Sequence, residues 1–321
     1  MARRRTGALL VAAGLVLTGC GAAASDTTGT TGTTGSAHTA ASSGGTPARN
    51  TTTAKAFPAA GVFDYQIGGS YPPASGVRIV DRDRTSAPAP GRYNVCYVNA
   101  YQAQPGDLAW WQHTHPNLLL RDASGRLIID RDWNEALLDI ATPAKRLAIA
   151  AVVGGWFAGC AHSGYDAVEP DNLDSYTRSQ GNLTQADAVA FAALLAGIAH
   201  RDTLLIGQKN AAELATRLRG SGYDFAVAEE CQEYDECDAY TSAYGTKVIE
   251  IEYSADQFAQ ACAARRGRVS LLLRDRDVVA KGQSGYVSRT CRHGTSTGAG
   301  AGPRAVRAVT IAQCVTLALC N

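Results

Sequence analysis

The sequence YDAVEPDNLD (residues 165–174) is the strongest indication of the fold, because a short apolar segment runs directly into acidic and amide side chains. The apolar segment predicts a strand, and Pro170 limits further pairing since proline donates no backbone hydrogen bond. Alternation along a strand puts Glu169 and Asp171 on one face. In barrels of alternating strands and helices, functional groups lie where strands end. A single strand that ends in acidic residues could equally well run into a solvated turn. The functional interpretation therefore depends on whether the same pattern recurs along the chain.

The pattern does recur along the chain. We predict eight strands, at residues 62–67, 77–81, 93–99, 165–169, 204–208, 224–229, 247–252 and 269–274, and helices at residues 143–158, 186–200, 211–218 and 255–264. Strands that alternate with helices predict a parallel sheet, and eight of them predict an α/β fold of the (β/α)₈ TIM-barrel type. The first three strands are too close in sequence for full helices between them, so we expect short connections there. Residues 105–142 are predicted to form a long insertion after the third strand.

The N-terminal region reads as an export signal and a tether. Residues 1–19 combine three arginines with a short apolar segment, and LTGC (residues 17–20) resembles a bacterial lipobox, which predicts lipidation at Cys20. Residues 20–56 are rich in Thr, Gly and Ser and predict a disordered tether. Residues 57–291 form the predicted barrel, and residues 292–321 a Gly-rich linker and C-terminal tail. We therefore expect an extracytoplasmic protein at the cell surface, anchored to the cytoplasmic membrane through Cys20.

Charge and cysteine content narrow the function classes. The formal charge is +1, and it falls to −2 when the three arginines of the signal peptide are removed, which argues against nucleic-acid binding. Of nine cysteines, eight remain if Cys20 is lipidated, an even number suited to an oxidising compartment. Proximity in sequence favours the pairs Cys231–Cys237, Cys262–Cys291 and Cys314–Cys320. No C-x-x-C pair is present, so we expect no metal, and we expect no cofactor.

In a barrel, the polar side chains that end these strands would gather at one mouth. We predict a site from the following residues: Asp64, Tyr65, Gln66, Asp81, Tyr97, Glu169, Asp171, Asn172, Lys209, Asn210, Glu229, Glu230 and Glu252. No serine or cysteine lies in a recognisable nucleophile elbow. Paired carboxylates on different strands are the groups that cleave glycosidic bonds, one donating a proton and the other attacking the sugar or activating water.

Four segments carry a family resemblance: DAVEPDN (166–172), GQKN (207–210), AEECQEYDEC (228–237) and EIEY (250–253). Together they resemble the endo-α-1,4-polygalactosaminidase family of glycoside hydrolases, family 114. DYQ (64–66), VDRD (80–83), CY (96–97) and WNEALLDI (133–140) are similar to further segments of that family, so the resemblance spans residues 63–291 in order. It implies a (β/α)₈ barrel that hydrolyses α-1,4-linked galactosamine-containing polysaccharide.

The resemblance also implies a catalytic acidic pair at Asp171 and Glu229. We assign Glu229 as the acid and Asp171 as the nucleophile or base, with Glu169 and Glu230 as the alternatives. The remaining predicted site residues are assigned to substrate binding. One departure is Ala228, since relatives often have asparagine before this glutamate, and its absence would remove a hydrogen bond to substrate.

The predicted function is therefore an exported, lipid-anchored glycoside hydrolase that acts endo on galactosamine-containing polysaccharide, with the polysaccharide and the membrane as partners. We expect a monomer. Two alternatives stay open. One is a surface carbohydrate-binding lipoprotein on a catalytically degenerate barrel, and the other is a glycosidase of a different α-linked sugar.

Overall fold

The computed structural model describes residues 53–291. The predicted signal peptide, Cys20 and the pair Cys314–Cys320 lie outside these residues. The strands are β1 (Phe63–Tyr65), β2 (Ile79–Asp83), β3 (Tyr93–Asn99), β4 (Gln102–Ala103), β5 (Ile129–Asp130), β6 (Glu135–Leu137), β7 (Ala167–Asp171), β8 (Leu205–Lys209), β9 (Phe225–Glu229), β10 (Val248–Glu252), β11 (Ser270–Arg274) and β12 (Ser288–Arg289). The α-helices are α1 (Leu108–Thr114), α2 (Pro143–Ser163), α3 (Gln185–Arg201), α4 (Ala215–Gly220), α5 (Cys237–Tyr244) and α6 (Ala255–Arg265).

Eight parallel strands form a nearly closed barrel in the order β1-β2-β3-β7-β8-β9-β10-β11, and β12 adds an antiparallel edge to β11. The predicted TIM-type fold is confirmed. The ends of the sheet meet through Arg274, whose Nε donates to the Tyr65 carbonyl at 3.0 Å, and through a backbone bridge between Gly68 and Val279. A Cβ on Gly68 would lie 2.3 Å from the Val278 carbonyl oxygen, so only glycine permits this approach.

The connections before β3 are short and contain no helix, as expected from the sequence. The insertion between β3 and α2 folds into α1 and a small antiparallel sheet of order β4-β6-β5. Helix α5, between β9 and β10, was not predicted, because it is only eight residues long. The insertion lies at the carboxyl end of β3, which places it beside the mouth of the barrel.

Side-chain alternation separates two cores. The barrel interior is filled by apolar residues that include Phe63, Ile79, Phe225, Ile249 and Leu272. A larger cluster packs between the strands and the helices. Because apolar groups fill the lower barrel, the polar inward-facing groups are confined to the carboxyl ends of the strands.

Helix α2 shows how capping residues determine where a helix begins and ends. Thr142 accepts a hydrogen bond from the Lys145 amide as N-cap, and Gly164 ends the helix at φ 93°. The helix is long and apolar enough to cross a membrane by length and composition. However, Ile149 and Phe157 lie in the outer core of the barrel, so we interpret α2 as a barrel helix.

Three disulfides are formed within residues 53–291. Cys231–Cys237 and Cys262–Cys291 are two of the pairs favoured by proximity. Cys96–Cys160 joins β3 to α2 across 64 residues and was not predicted. Disulfides form in oxidising compartments, so this domain is extracytoplasmic.

Candidate active site

Lys209, at the end of β8, is the centre of the polar groups at the mouth. Its Nζ lies 3.2 Å from Asp171 Oδ2, 3.3 Å from Glu169 Oε1 and 3.3 Å from Glu229 Oε2. Strand β8 lies between β7 and β9, so a lysine here reaches acids from both neighbours. Burial by itself would lower the pKa of Lys209, but Asp171 and Glu229 raise it well above its ordinary value. Lys209 is therefore a buried ammonium ion.

Each of the three carboxylates also receives a tyrosine hydroxyl. Tyr97 donates to Asp171 Oδ2 at 2.8 Å and Tyr65 donates to Glu169 Oε1 at 3.3 Å. Tyr253 donates to Glu229 Oε1. Burial, reinforced by the nearby carboxylates, raises the pKa of all three phenols, so they stay protonated donors.

Tyr253 was not among the predicted site residues. The sequence contained a signal for it, because alternation along β10 places Ile249, Ile251 and Tyr253 on one face. The register confirms that this face is the inner one, since Ile251 pairs with Glu229.

Asp171 is held in its ionised form. Burial alone would raise the pKa of this carboxyl, but the Lys209 ammonium and hydrogen bonds from the Asn172 amide and Tyr97 hydroxyl outweigh it. The pKa of Asp171 therefore lies below its ordinary value. Asn172 has φ 66°, a left-handed turn that directs its amide back onto Asp171 Oδ1 at 2.6 Å.

Glu229 is oriented by Asn210, the residue after Lys209. The Asn210 side chain accepts from the Glu229 amide at 2.8 Å and donates to Glu229 Oε2 at 3.1 Å. Asn210 is also left-handed, at φ 47°. The side chains of Asp171 and Glu229 remain 17% and 20% exposed, so both can be reached from the cleft.

Asp81 and Glu169 lie deeper and form a buried acid pair. Both were predicted as substrate-binding residues, and the structure buries both completely. Glu169 precedes Asp171 by two residues on the same face, which places it about 7 Å further into the barrel. Burial raises the pKa of Asp81, and the Glu169 carboxylate raises it further, so Asp81 favours its neutral form beside Glu169. Burial also raises the pKa of Glu169.

Asp64 and Gln66 face away from the mouth, which corrects their predicted role in substrate binding. Tyr65 pairs with Asp81 and faces inward, so its neighbours on β1 face outward. Gln66 donates to Asp64 at 2.8 Å and accepts from Arg82 at 3.0 Å, while Tyr71 donates to Asp64 at 2.6 Å. The polar groups of both side chains are therefore hydrogen-bonded to other side chains of the protein.

Glu252 and Ala228 also lie on the outer face. Glu252, a predicted substrate-binding residue, accepts a hydrogen bond from the Gln232 amide at 2.9 Å and is buried on the outer face, away from Lys209. Ala228 packs in the outer core, and a longer side chain there would point toward the helices. The departure at Ala228 therefore does not alter the cleft.

Glu230 lies at the rim beside Glu229. It adopts φ 58° and pairs with Arg276, which also lies over the Tyr253 ring at 4.8 Å. The ion pair with Arg276 neutralises the Glu230 carboxylate. Within residues 53–291, this carboxylate forms no ion pair with Lys209, so Glu230 is disfavoured as the catalytic acid.

The insertion adds Glu135, which the sequence reasoning did not select. Asn99 donates to Glu135 Oε2 at 2.7 Å, and Asn172 donates to the same oxygen at 3.2 Å. Burial raises the pKa of Glu135 to about 7, and the neighbouring Asp171 contributes. Only the fold brings this residue to the mouth, since it lies 36 residues from Asn99 and 37 from Asn172.

Comparison with known proteins identifies the family. The family model for glycoside-hydrolase family GH114 matches residues 44–296. Ega3 of Aspergillus fumigatus, solved in complex with galactosamine, is similar with a TM-score of 0.56 and 26% identity, covering 72% of this chain and 97% of that chain.

The glycoside hydrolase domain of PelA from Pseudomonas aeruginosa has a TM-score of 0.47 and 16% identity, covering 70% and 97% of the two chains, a similarity too low to bear on the site. A comparison with curated proteins finds no match. The family match covers most of the chain and confirms the resemblance seen in the sequence. This chain belongs to glycoside-hydrolase family GH114 and is a glycoside hydrolase.

Proposed function

We propose that this enzyme is an endo-acting hydrolase of α-1,4-linked, galactosamine-containing polysaccharide. The observation that carries the proposal is the pair Asp171 and Glu229, two accessible carboxylates on alternate strands with Lys209 between them. The similarity to Ega3, whose structure holds galactosamine, supports an amino sugar as the substrate.

The separation of the two carboxylates favours a retaining mechanism. Lys209 Nζ is 3.2 Å from Asp171 Oδ2 and 3.3 Å from Glu229 Oε2, so these two oxygens are no further apart than the sum of those distances. Retaining glycosidases separate their carboxyls by about 5–5.5 Å and inverting ones by about 6.5–9.5 Å. This limit applies to the two oxygens that face Lys209, and we infer retention because it agrees with the closer of the two spacings.

In the first step, Asp171 attacks the anomeric carbon while Glu229 protonates the leaving glycosidic oxygen. The glycosidic bond breaks and a glycosyl ester of Asp171 forms. In the second step, Glu229 removes a proton from water, which attacks the same carbon and releases Asp171. Lys209 and Tyr97 keep Asp171 ionised for attack, and Tyr253 and Asn210 hold Glu229 in place.

Release of reducing ends from de-acetylated galactosaminogalactan tests the proposal. Asp171→Asn and Glu229→Gln should each abolish it, whereas Glu233→Gln, an exposed acid in the loop after Glu229, should keep it. Retained activity in either of the first two variants refutes the catalytic assignment. The first product seen by NMR should be the α-anomer, and a β-anomer would establish inversion instead.

We further propose that the domain is anchored by lipidation at Cys20. The support is the lipobox and the extracytoplasmic location indicated by the disulfides. Palmitate labelling of cells should mark the protein and should be lost in Cys20→Ser. Equal release of wild type and Cys20→Ser into the medium would contradict anchoring.

A further inference from the structure

The insertion strand β6 places a further carboxylate, the largely buried Glu135, beside Asp171. Asn99 and Asp171 are register partners on β3 and β7, and Glu135 is hydrogen-bonded to Asn99. Both amide donors, from Asn99 and Asn172, bind the same oxygen, Oε2. The other oxygen, Oε1, accepts no hydrogen bond within residues 53–291 and keeps contact with solvent, the residue being 9% exposed. One carboxylate oxygen is thus fixed and the other is free for a ligand.

Within residues 53–291 no lysine or arginine forms an ion pair with Glu135, although Arg178 lies close enough to lower its pKa. Lysine 209 is bound to Glu169, Asp171 and Glu229, and Arg178 pairs with Asp174 and Asp130. Asp171 and Asp130 both face Glu135 and add negative charge. A largely buried carboxylate without an ion-pair partner is costly even when it accepts hydrogen bonds, so this position favours a cation supplied from outside.

The order of groups around the mouth indicates which part of a substrate reaches Glu135. Following the sheet from β3 to β9, the side chains are Glu135 beside β3, Asp171 on β7, Lys209 on β8 and Glu229 on β9. If Asp171 attacks the anomeric carbon and Glu229 acts on the glycosidic oxygen, Lys209 repels a substrate ammonium from the Glu229 side. The 2-amino group is attached to the carbon next to the anomeric carbon, so it can turn toward Glu135.

We propose that Glu135 binds the 2-ammonium group of the galactosamine residue that Asp171 attacks, and so selects the de-acetylated sugar. This inference rests on the proposed function. The contact would also affect the reaction itself. The transition state is oxocarbenium-like, and an adjacent ammonium group repels the positive charge that develops on the ring. A carboxylate bound to that ammonium reduces the repulsion, so Glu135 would contribute to kcat as well as to binding.

Binding of monosaccharides tests the inference without requiring turnover. Calorimetric titrations compare galactosamine, N-acetylgalactosamine and galactose on the wild type, Glu135→Gln, Glu135→Asp and Asp132→Asn. Glutamine is isosteric and its amide oxygen can still accept from Asn99 and Asn172. Asp132 is an exposed acid in the same loop and serves as the matched control.

We expect the wild type and Asp132→Asn to bind galactosamine at least about 10-fold more tightly than galactose, as a charge-assisted hydrogen bond allows. Glu135→Gln should lose this preference with little change for the two neutral sugars, and Glu135→Asp should restore part of it. A wild type without the preference, or a Glu135→Gln variant that keeps it, overturns the inference. Reducing-end release measured on the same wild-type sample reports separately on the proposed function.

Discussion

The two faces of the barrel strands each carry buried carboxylates beside a cation, and they differ in how the charges are balanced. On the outer face, Arg265 binds both oxygens of Glu250 at 2.8 Å and also reaches Gln232 at 2.6 Å. At the mouth, one ammonium group, Lys209, is shared by Glu169, Asp171 and Glu229. Arg265 therefore neutralises Glu250 fully within the protein. At the mouth three carboxylates share one ammonium group, so negative charge remains that can interact with a substrate.

The sharpest test of this comparison is removal of the two cations. Lys209→Met should lower kcat by about 10³-fold, because Asp171 loses the charge that keeps it ionised. It should also cost about 3–5 kcal/mol of stability, since buried carboxylates are left uncompensated. Arg265→Met should destabilise the fold while leaving kcat of the folded enzyme within about 3-fold. Hydrolysis assays measure kcat, and thermal unfolding measures stability. An equal loss of kcat in the two variants would show that Lys209 and Arg265 do not differ in their catalytic role.

Tyrosines on the two faces provide a second test. Tyr97→Phe removes the donor to Asp171 Oδ2 and should lower kcat about 10-fold. The loss of this hydrogen bond raises the pKa of Asp171, so the acidic limb of the kcat/KM profile should move to higher pH. Tyr244→Phe removes a hydrogen bond to Gln208 on the outer face and should leave the limb in place. A matching shift in both variants would indicate an indirect structural effect.

The buried acid pair gives a smaller effect. Because Asp81 is a neutral acid, Asp81→Asn preserves its charge and shape and should change stability by less than about 1 kcal/mol at neutral pH. Asp81→Ala should destabilise by about 2–3 kcal/mol, since it leaves Glu169 without its partner. Denaturant titrations at pH 7 compare the two variants. Equal destabilisation would show that Asp81 is ionised in the fold.

The smallest effect is expected at Glu252 on the outer face. Burial raises the pKa of Glu252 to about 7, above its value in the unfolded chain. The folded state therefore holds a proton that the unfolded chain has released, and stability falls as pH rises from about 4.5 to 7. Glu252→Gln should gain about 1 kcal/mol at pH 8 relative to pH 5, measured against wild type by thermal unfolding. A pH-independent difference would contradict this.

Much of the fold follows from local patterns. Apolar segments that end in polar residues predicted all eight barrel strands, with β2 and β7 each extending two residues further, to Asp83 and Asp171. Thr184 and Asp187 form the capping box that their spacing indicates, at the start of α3. Helix α5 was missed because it is only eight residues long, and its position is set by packing against β9 and β10.

The strands, their acidic ends and two of the disulfides could be predicted from local sequence patterns. It also carried the family resemblance through Asp171, Lys209 and Glu229. Which face of each strand points into the mouth of the barrel depends on the tertiary structure. Alternation separates Glu229 from Glu230 and Tyr253 from Glu252, but the choice of inner face depends on pairing with neighbouring strands. Closure of the sheet then brings Lys209 to three acids and the distant Glu135 to Asp171, contacts that local sequence spacing cannot predict.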